Sequence, residues 1–181
     1  EGLVCQMELM NGMNAVAVCD VRKGQAKKVF KSAGVGWGSV LETDDAEKAS
    51  REVRAGKRVA LTNADALVKI PEVDIVVEAT GIPEIGARIA YTSLLERKHV
   101  LQMNVETDAT VGYILRKTAK SAGVVYTLTA GDEPGTCMEL YDFAVSLGFD
   151  VVCAGKGKNN PLDQTANPDS VAEKAKQQQM N

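Results

Sequence analysis

The stretch VDIVVEATGIPE, residues 73–84, predicts a buried β-strand that runs into a small, open turn. Residues 73–77 include four apolar side chains of strand type, and Glu78 follows them at the predicted strand end. Strands of parallel sheets are covered on both faces and therefore read as nearly unbroken apolar runs. Residues 79–81 (Ala-Thr-Gly) keep the tip small, and Pro83 suits the first turn of a following helix. The stretch therefore predicts a parallel strand that is buried on both faces.

Strand-type and helix-type segments alternate along the rest of the chain. Strand-type segments lie at residues 14–20, 58–62, 75–78, 99–104, 124–129 and 149–154. Helix-type segments lie at residues 2–10, 24–32, 44–55, 84–97, 107–122 and 134–147, and Thr62 with Asp65 has the spacing of a capping box for a further short helix. The helix at 134–147 is predicted to bury Cys137, Leu140, Tyr141, Ala144 and Val145. This alternation predicts βαβ units with right-handed crossovers, so the expected fold class is α/β, a doubly wound, Rossmann-like parallel sheet.

The composition indicates a globular chain without a strong excess of charge. The net charge is -3, with 45% hydrophobic and 25% charged residues, so no general attraction to nucleic acid or anionic lipid is expected. No apolar run approaches the ~18 residues of a membrane span, and no secretory signal is visible. The four cysteines form no C-x-x-C pair and are predicted to be reduced, which favours the cytoplasm. His99 is the single histidine, so no metal site is predicted.

Both ends of the sequence lead us to expect a fragment of a longer polypeptide. The sequence begins with Glu1 at the start of a predicted helix, and in a doubly wound sheet such a helix should follow a strand and a tight turn. After Pro161 the sequence becomes polar, with one weak helix predicted near Ser170. The expected organisation is a first domain over residues 1–155, incomplete at its N-terminus, and the start of a second domain over residues 156–181.

Asp20 lies at the end of the first predicted strand and is a candidate ligand-binding residue. An acid in this position can accept hydrogen bonds from the ribose hydroxyls of an adenine dinucleotide. Arg22 and Lys23 follow at once, and a cation there suits a 2′-phosphate, so the residues leave the choice between NAD and NADP open. Asp20 could equally do no more than cap the turn between strand and helix.

Polar and small residues gather at the ends of three later strands. These tips read Glu78-Ala79-Thr80-Gly81, Met103-Asn104-Val105-Glu106 and Ala130-Gly131-Asp132-Glu133-Pro134-Gly135. Turns are rich in such residues in any case, but the carboxyl ends of strands are where open α/β sheets bind ligands. Their repetition at one edge favours a binding site. Lys156, between two glycines, could reach a carboxylate, a phosphate or a developing alkoxide, or it could be solvated.

Three stretches together resemble a known family. They are PEVDIVVEATGIPEIGARIA (71–90), KHVLQMNVETD (98–108) and GVVYTLTAGDEPGTCMELYDFAVSLGFDVVCAGKG (123–157). With the order E-A-T-G, M-N-V-E, G-D-x-P and A-G-K-G, they resemble homoserine-dehydrogenase-like NAD(P)-dependent oxidoreductases over about residues 13–160. The resemblance is greater to the branch with a C-terminal SAF domain, which includes deoxyxylulose-phosphate-reductoisomerase-like proteins.

The resemblance implies a cofactor site with a part that this sequence lacks. It implies a first, central strand and a glycine-rich phosphate loop before the opening helix, with that strand lying between the Asp20 strand and the Glu78 strand. It places residues 20–22 at the adenosine ribose, Thr80 and Gly81 toward the nicotinamide ribose, and Met103 and Asn104 near the nicotinamide. The implied cofactor is NADP or NAD, with NADP slightly favoured.

The resemblance also implies hydride transfer to or from a small polar carbonyl or alcohol substrate. Val105 stands where homoserine dehydrogenases have a lysine, which argues against homoserine as the substrate. Lys156 becomes the candidate for polarising a carbonyl group, with Asp132 or Glu106 assisting. The alternatives are a reductoisomerase of the deoxyxylulose-phosphate type and a truncated, inactive nucleotide-binding module. A small-molecule substrate and a homo-oligomer are expected, with neither nucleic acid nor membrane as a partner.

Overall fold

The computed structural model describes residues 1–131, 133–155 and 163–177, and the chain divides into two compact units. The first unit is Glu1–Thr129 and the second is Ala130–Asn181. The sequence predicts a domain boundary after residue 155, whereas this division falls after Thr129. The predicted boundary stays a prediction.

The first unit alternates strands and helices, as the sequence predicts. Its strands are β1 (Ala17–Cys19), β2 (Val40–Glu42), β3 (Arg58–Leu61), β4 (Ile75–Glu78), β5 (His99–Gln102) and β6 (Tyr126–Leu128). Its α-helices are α1 (Gly2–Leu9), α2 (Gln25–Ser32), α3 (Ala46–Arg54), α4 (Ala64–Val68), α5 (Pro83–Leu95) and α6 (Val105–Ala122), and a 3₁₀ turn at Trp37–Ser39 precedes β2. Strand β2 has no counterpart in the sequence prediction.

The six strands form two parallel sheets of three strands each. The strand order is β1-β3-β2 in one sheet and β4-β5-β6 in the other, with all pairings parallel. Among the described residues, β1 pairs only with β3 and β4 pairs only with β5, so each of the two has one edge without a strand partner. The same holds for β2 and β6 at the other end of each sheet, and the predicted place of a further strand between β1 and β4 stays a prediction.

Strand β3 shows that helices cover both faces of its sheet. Its side chains alternate, so that Val59 and Leu61 belong to one apolar cluster and Ala60 to another. The first cluster includes residues of α3, α4 and α5, and the second includes two residues of α2. This arrangement confirms the predicted α/β, doubly wound, Rossmann-like class. Val76 of β4 lies in the same cluster as Val59, so the two sheets share a core.

The opening stretch forms β4 and the start of α5, but its predicted burial on both faces is wrong at one position. Val73 and Val76 are buried, whereas Ile75 is 50% exposed. Val77, on the same face of β4, is only half-buried, so one face of the strand is incompletely covered while the face of Val76 and Glu78 is buried. Pro83 begins α5, as the sequence predicts.

The second unit contains two helices in the described residues, α7 (Glu133–Ser146) and α8 (Pro168–Gln177). The strand predicted at 149–154 is wrong, because these residues form no strand and Val152 is 95% exposed. A strand needs a hydrogen-bonded neighbour, and no strand of the described chain pairs with this segment. The predicted burial of α7 is wrong for Leu140, Tyr141 and Val145, which are all exposed.

Candidate functional site

Asp20 directly follows β1 and is held by Arg22. The backbone N–H of Arg22 donates to Asp20 Oδ1 at 2.9 Å, and the guanidinium donates to Oδ1 and Oδ2 at 3.2 Å each. The guanidinium hydrogen bonds lower the pKa of Asp20 below its usual value. Arg22 is exposed and has five N–H donors, so it keeps donors for a further anion.

A cleft of about 290 Å³ lies beside these two residues, at the carboxyl ends of β3 and β2. Lys23, Gly24, Asp44 and Thr62 are among the residues that line it. The lining thus includes the basic residue that follows Arg22 and two carboxylate residues, Glu42 and Asp44. Sequence reasoning did not find Asp44, which no motif marks.

Asp44 joins the segment after β2 to the end of β3. Its Oδ1 accepts from the N–H of Thr62 at 2.7 Å and from the N–H of Asn63 at 2.9 Å, and its Oδ2 accepts from the Thr62 hydroxyl at 2.5 Å. The Thr62 hydrogen bonds lower the pKa of Asp44. Asn63 forms the N-cap of α4 through the N–H of Asp65, so the predicted capping box from Thr62 is wrong.

The tip of β4 presents Thr80 and Gly81 at the surface. Both residues are exposed, and Gly81 has a φ of 71°, where a side chain is strained. A Cβ atom on Gly81 would have no other atom within 4 Å, so the space above the tip is open. Glu78 lies beneath the tip, 1% exposed, and accepts two hydrogen bonds from Thr80.

The tip of β5 presents one apolar side chain and buries the next, polar one. Met103 is 44% exposed, and its N–H donates to the backbone oxygen of Glu78 at 2.9 Å. Asn104 is 3% exposed and forms the N-cap of α6, with Oδ1 accepting from the N–H of Thr107 at 3.2 Å. Its Nδ2 has no hydrogen-bond partner among the described residues. The predicted place of Asn104 near the nicotinamide stays a prediction.

The structure describes one of the three predicted catalytic residues. Glu106 lies in the first turn of α6, exposed, two residues after the Asn104 N-cap, where a negative charge favours the helix. Asp132 and Lys156 lie outside the described residues. Their roles, and that of Glu106, stay predictions.

The predicted cofactor residues fall into two groups within the first unit. Asp20 and Arg22 lie at the end of β1, whereas Thr80, Gly81, Met103 and Asn104 lie at the ends of β4 and β5. Glu78 and Gln102 link the second group, since Gln102 Nε2 donates to Glu78 Oε2 at 3.0 Å. Sequence reasoning left the role of Glu78 open and missed Gln102. The two groups occupy carboxyl ends of parallel strands, the edge at which such sheets bind ligands.

The described residues contain no group of three His, Cys, Asp or Glu side chains that could hold a metal ion. In the same part of the chain, no helix combines the length and the apolar character needed to cross a membrane.

Comparison with known families identifies the first unit. The model for the homoserine dehydrogenase NAD-binding domain matches residues 12–128. The chain belongs to this family. A second model, the catalytic domain of oxidoreductase DRL, matches residues 131–181. The boundary between the two family matches therefore lies close to the division of the chain between Thr129 and Ala130. The predicted resemblance to homoserine-dehydrogenase-like oxidoreductases is thereby confirmed, and the NAD-binding domain confirms a nicotinamide cofactor. The SAF branch and the choice between NAD and NADP stay predictions.

One solved structure with a similar chain is entitled "putative oxidoreductase yvaA from Bacillus subtilis". The identity is 16% and the TM-score is 0.44, over 75% of this chain and 40% of that chain. The present chain thus spans less than half of that relative. No curated protein matches the chain.

Proposed function

We propose that the chain is the nucleotide-binding part of an enzyme that transfers a hydride between NADP or NAD and a small polar carbonyl or alcohol substrate. The observation that carries this proposal is the placement of Asp20 with Arg22, of Thr80 with Gly81 and of Met103 at carboxyl strand ends of one NAD-binding unit. The nicotinamide supplies the hydride chemistry when it is bound. The residues of the chain bind it, orient it and expose one face to the substrate.

The residues at the two ends of the site fit the two ends of the cofactor. The cleft beside Lys23 has room for part of an adenosine group, and Asp20 and Arg22 lie next to it. At the other end, the open space above Gly81 lets the cofactor backbone pass close to the tip, and Met103 offers apolar surface to the nicotinamide ring. A phosphate loop would belong just before α1, as the family resemblance implies.

The pairing of Asp20 with Arg22 favours NADP over NAD. Both oxygens of Asp20 accept from the guanidinium, which offsets the charge that would otherwise repel a 2′-phosphate. The remaining donors of Arg22, with Lys23 beside it, suit a 2′-phosphate. To accept hydrogen bonds from the ribose hydroxyls of NAD, Asp20 would have to lose its hydrogen bonds from the Arg22 guanidinium. We therefore expect both cofactors to bind, with NADP the tighter.

Lys156 is proposed to polarise the substrate carbonyl, with Asp132 or Glu106 as the proton-transferring group. Val105 supports a substrate other than homoserine, because it stands at the family's lysine position. The second candidate is an isomerising reductase of the deoxyxylulose-phosphate type, a reaction that usually calls for a divalent cation. It is supported by the resemblance of about residues 13–160 to the branch that includes deoxyxylulose-phosphate-reductoisomerase-like proteins. We also propose a homo-oligomer and a cytoplasmic location on the sequence arguments given above.

The unpartnered edges of β1 and β4 support the expectation that the 181 residues alone are inactive. Strand β1 and strand β4 each lack a partner on one edge in the described residues, and a parallel strand between them would join the two sheets into one. In a sheet completed in this way, the turn after the new strand would lie between the Asp20 and Thr80 groups, where the cofactor phosphates belong. We propose that such a strand, with its phosphate loop, is required for cofactor binding.

The experiment uses the chain extended by ~30 native upstream residues, hereafter the extended protein, a length that accommodates a strand and a phosphate loop. NADPH and NADH binding by the extended protein is measured by calorimetry. NADPH oxidation is followed with the complete protein, which includes the rest of the second domain, using small carbonyl compounds in the presence of Mg²⁺ or EDTA. We expect NADPH binding and metal-independent oxidation. Loss of activity in EDTA would favour the isomerising reductase instead. Absence of binding by either cofactor would contradict the proposal.

A further inference from the structure

Glu78 is a buried carboxylate whose hydrogen bonds reach the tips of both β4 and β5. Its Oε1 accepts from the N–H of Thr80 at 2.7 Å and from the Thr80 hydroxyl at 2.5 Å, and its Oε2 accepts from Gln102 Nε2 at 3.0 Å. Among the described residues it has no salt bridge, so neutral donors alone compensate its burial. Such a carboxylate restrains its donors strongly, because leaving it without them is costly.

The hydrogen bonds of Glu78 fix the direction of the Thr80 hydroxyl. The carboxylate of Glu78 has no hydrogen to donate, so it acts as an acceptor toward Thr80. The Thr80 hydroxyl therefore donates its one hydrogen to Glu78. Thr80 Oγ1 can then only accept further hydrogen bonds. Among the described residues it accepts one long contact, from the N–H of Ile82 at 3.4 Å. Since Thr80 is exposed, it presents an acceptor to solvent.

The same carboxylate connects the two tips that face the nicotinamide in the proposed function. Gln102 is fully buried on β5, and its Nε2 also approaches the backbone oxygen of Asn104 at 3.5 Å. The backbone oxygen of Glu78 holds the N–H of Met103 at 2.9 Å. The side chain of Glu78 thus holds Thr80 directly and reaches the tip of β5 through Gln102, whereas the contact with Met103 is made by the Glu78 backbone.

We propose that the Glu78 side chain is a positioning group that makes Thr80 a hydrogen-bond acceptor for the cofactor and links the tip of β4 to Gln102 of β5. The proposal rests on the proposed function, because it requires a nicotinamide cofactor at these tips. An ionised phosphate, which only accepts, cannot bond to Thr80 Oγ1 in this arrangement. A ribose hydroxyl or the amino group of a carboxamide can, so the ligand group at Thr80 is a donor of this class.

Four variants of the extended protein test the role of Glu78. Thr80→Val, which removes the hydroxyl at nearly constant shape, should weaken NADPH binding about ten-fold, as the loss of one hydrogen bond does. Glu78→Ala should weaken it by a similar factor, and the double variant should be no weaker than the worse single one, since both changes remove the same contact. Glu78→Gln should recover most of the affinity, because its amide oxygen can still accept from Thr80 while its amino group meets a flipped Gln102. When the same variants are made in the complete protein, the KM for NADPH should rise in the damaged variants while kcat changes little.

Additive losses in the double variant would overturn the proposal, as would a Glu78→Gln protein that binds NADPH as weakly as Thr80→Val. If Glu78→Ala does not fold, the comparison of NADPH affinity between Glu78→Gln and Thr80→Val still tests the proposal.

A second measurement on the 181-residue chain needs no cofactor. Exchange of the Thr80 amide hydrogen is followed by NMR. It should be at least about ten-fold faster in Glu78→Ala or Glu78→Leu, which remove the acceptor, than in Glu78→Gln, which keeps one. Equal exchange rates would overturn the positioning role. If the extended wild-type protein binds neither NADPH nor NADH, the proposed function fails, whereas the exchange rates still report on the contact between Glu78 and Thr80.

Discussion

A Cβ atom on Gly86 would lie 2.7 Å from Glu78 Oε2 and 2.7 Å from Thr107 Oγ1. Gly86 lies in the second turn of α5, and Thr107 lies at the start of α6, where its hydroxyl donates to the backbone oxygen of Pro83 at 3.0 Å. The absence of a side chain at Gly86 therefore lets α5 approach the buried carboxylate and lets the hydroxyl of Thr107 reach α5. This packing holds the tip of β4 against the starts of both helices.

Replacing Gly86 by alanine should destabilise the chain. Alanine is favoured over glycine inside helices by about 1 kcal/mol, but overpacking against two buried polar side chains should cost about 2–3 kcal/mol. We therefore expect the free energy of unfolding to fall by about 1–2 kcal/mol. Urea unfolding followed by circular dichroism measures the change. Gly2→Ala is the matched control, because Gly2 is helical and a Cβ atom there has no neighbour within 4 Å. A Gly86→Ala chain as stable as the wild type would contradict the packing argument.

Arg22 should determine the preference for NADP. Removing it as Arg22→Ala in the extended protein should weaken NADPH binding about ten- to hundred-fold, the range for a lost charged hydrogen bond, while NADH binding changes much less. Calorimetric titration with both cofactors measures the ratio of the two affinities. Arg88→Ala is the control, because it breaks another exposed pair, with Asp65, at 2.6 Å. A ratio that is unchanged in Arg22→Ala, or equally changed in Arg88→Ala, would exclude this role.

The hydrogen bonds of Asp44 should contribute a pH-dependent part of the stability. The folded state lowers the pKa of Asp44, so the unfolded state binds its proton more tightly and acid favours unfolding. The contribution is present above the unfolded pKa of about 3.9 and is lost as the pH falls through the lower, folded pKa. Asp44→Asn should therefore lower the stability by about 1 kcal/mol or less at pH 7, since the site is exposed, and by less in strong acid.

Urea midpoints at pH 7 and near pH 2 check this expectation, with Asp74→Asn at an exposed position as the control. A loss of stability that is the same at both pH values would show that the carboxylate charge does not act in this way.

Cys19 should be an unreactive thiol although it lies next to Asp20. Burial, with Asp44 as the next contributor, raises the pKa of Cys19 to about 11, so on the order of one thiol in a thousand is ionised at pH 8. The exposed Cys153 should react with iodoacetamide at least about ten-fold faster. Mass spectrometry of the alkylated peptides measures both rates. Comparable rates at the two cysteines would show that Cys19 is accessible as a thiolate.

The parts of the fold that follow from local patterns could be predicted from the sequence. Residues 75–78 were predicted as a strand and form β4, because an apolar run followed by a small turn and a proline is a local signal. Strand β2 has only three residues after a glycine-rich loop, and its pairing with β3 decides its existence. Residues 149–154 carry the same local signal as β4 but have no partner strand in the described chain. Local propensity therefore misses one strand and adds another.

The candidate site could be placed from the sequence, but its internal contacts could not. The strand tips were recognisable because small and polar residues end strands at one edge. Glu78 meets Gln102 from 24 positions away, and Asp44 meets Thr62 from 18 positions away. No spacing rule connects residues so far apart, since the packing of neighbouring strands brings them together. The error over the Thr62 capping box has the same origin, because Asp44 takes the hydroxyl that the local pattern assigned to α4.

The central claim is that a parallel strand between β1 and β4, with its phosphate loop, completes a nicotinamide dinucleotide site. Energy transfer to bound NADPH from Trp37, the single tryptophan, measures binding by the 181-residue chain and by the extended protein side by side. The account predicts transfer in the extended protein and none in the 181-residue chain. Equal binding by the two would contradict the claim that the added strand and loop are required.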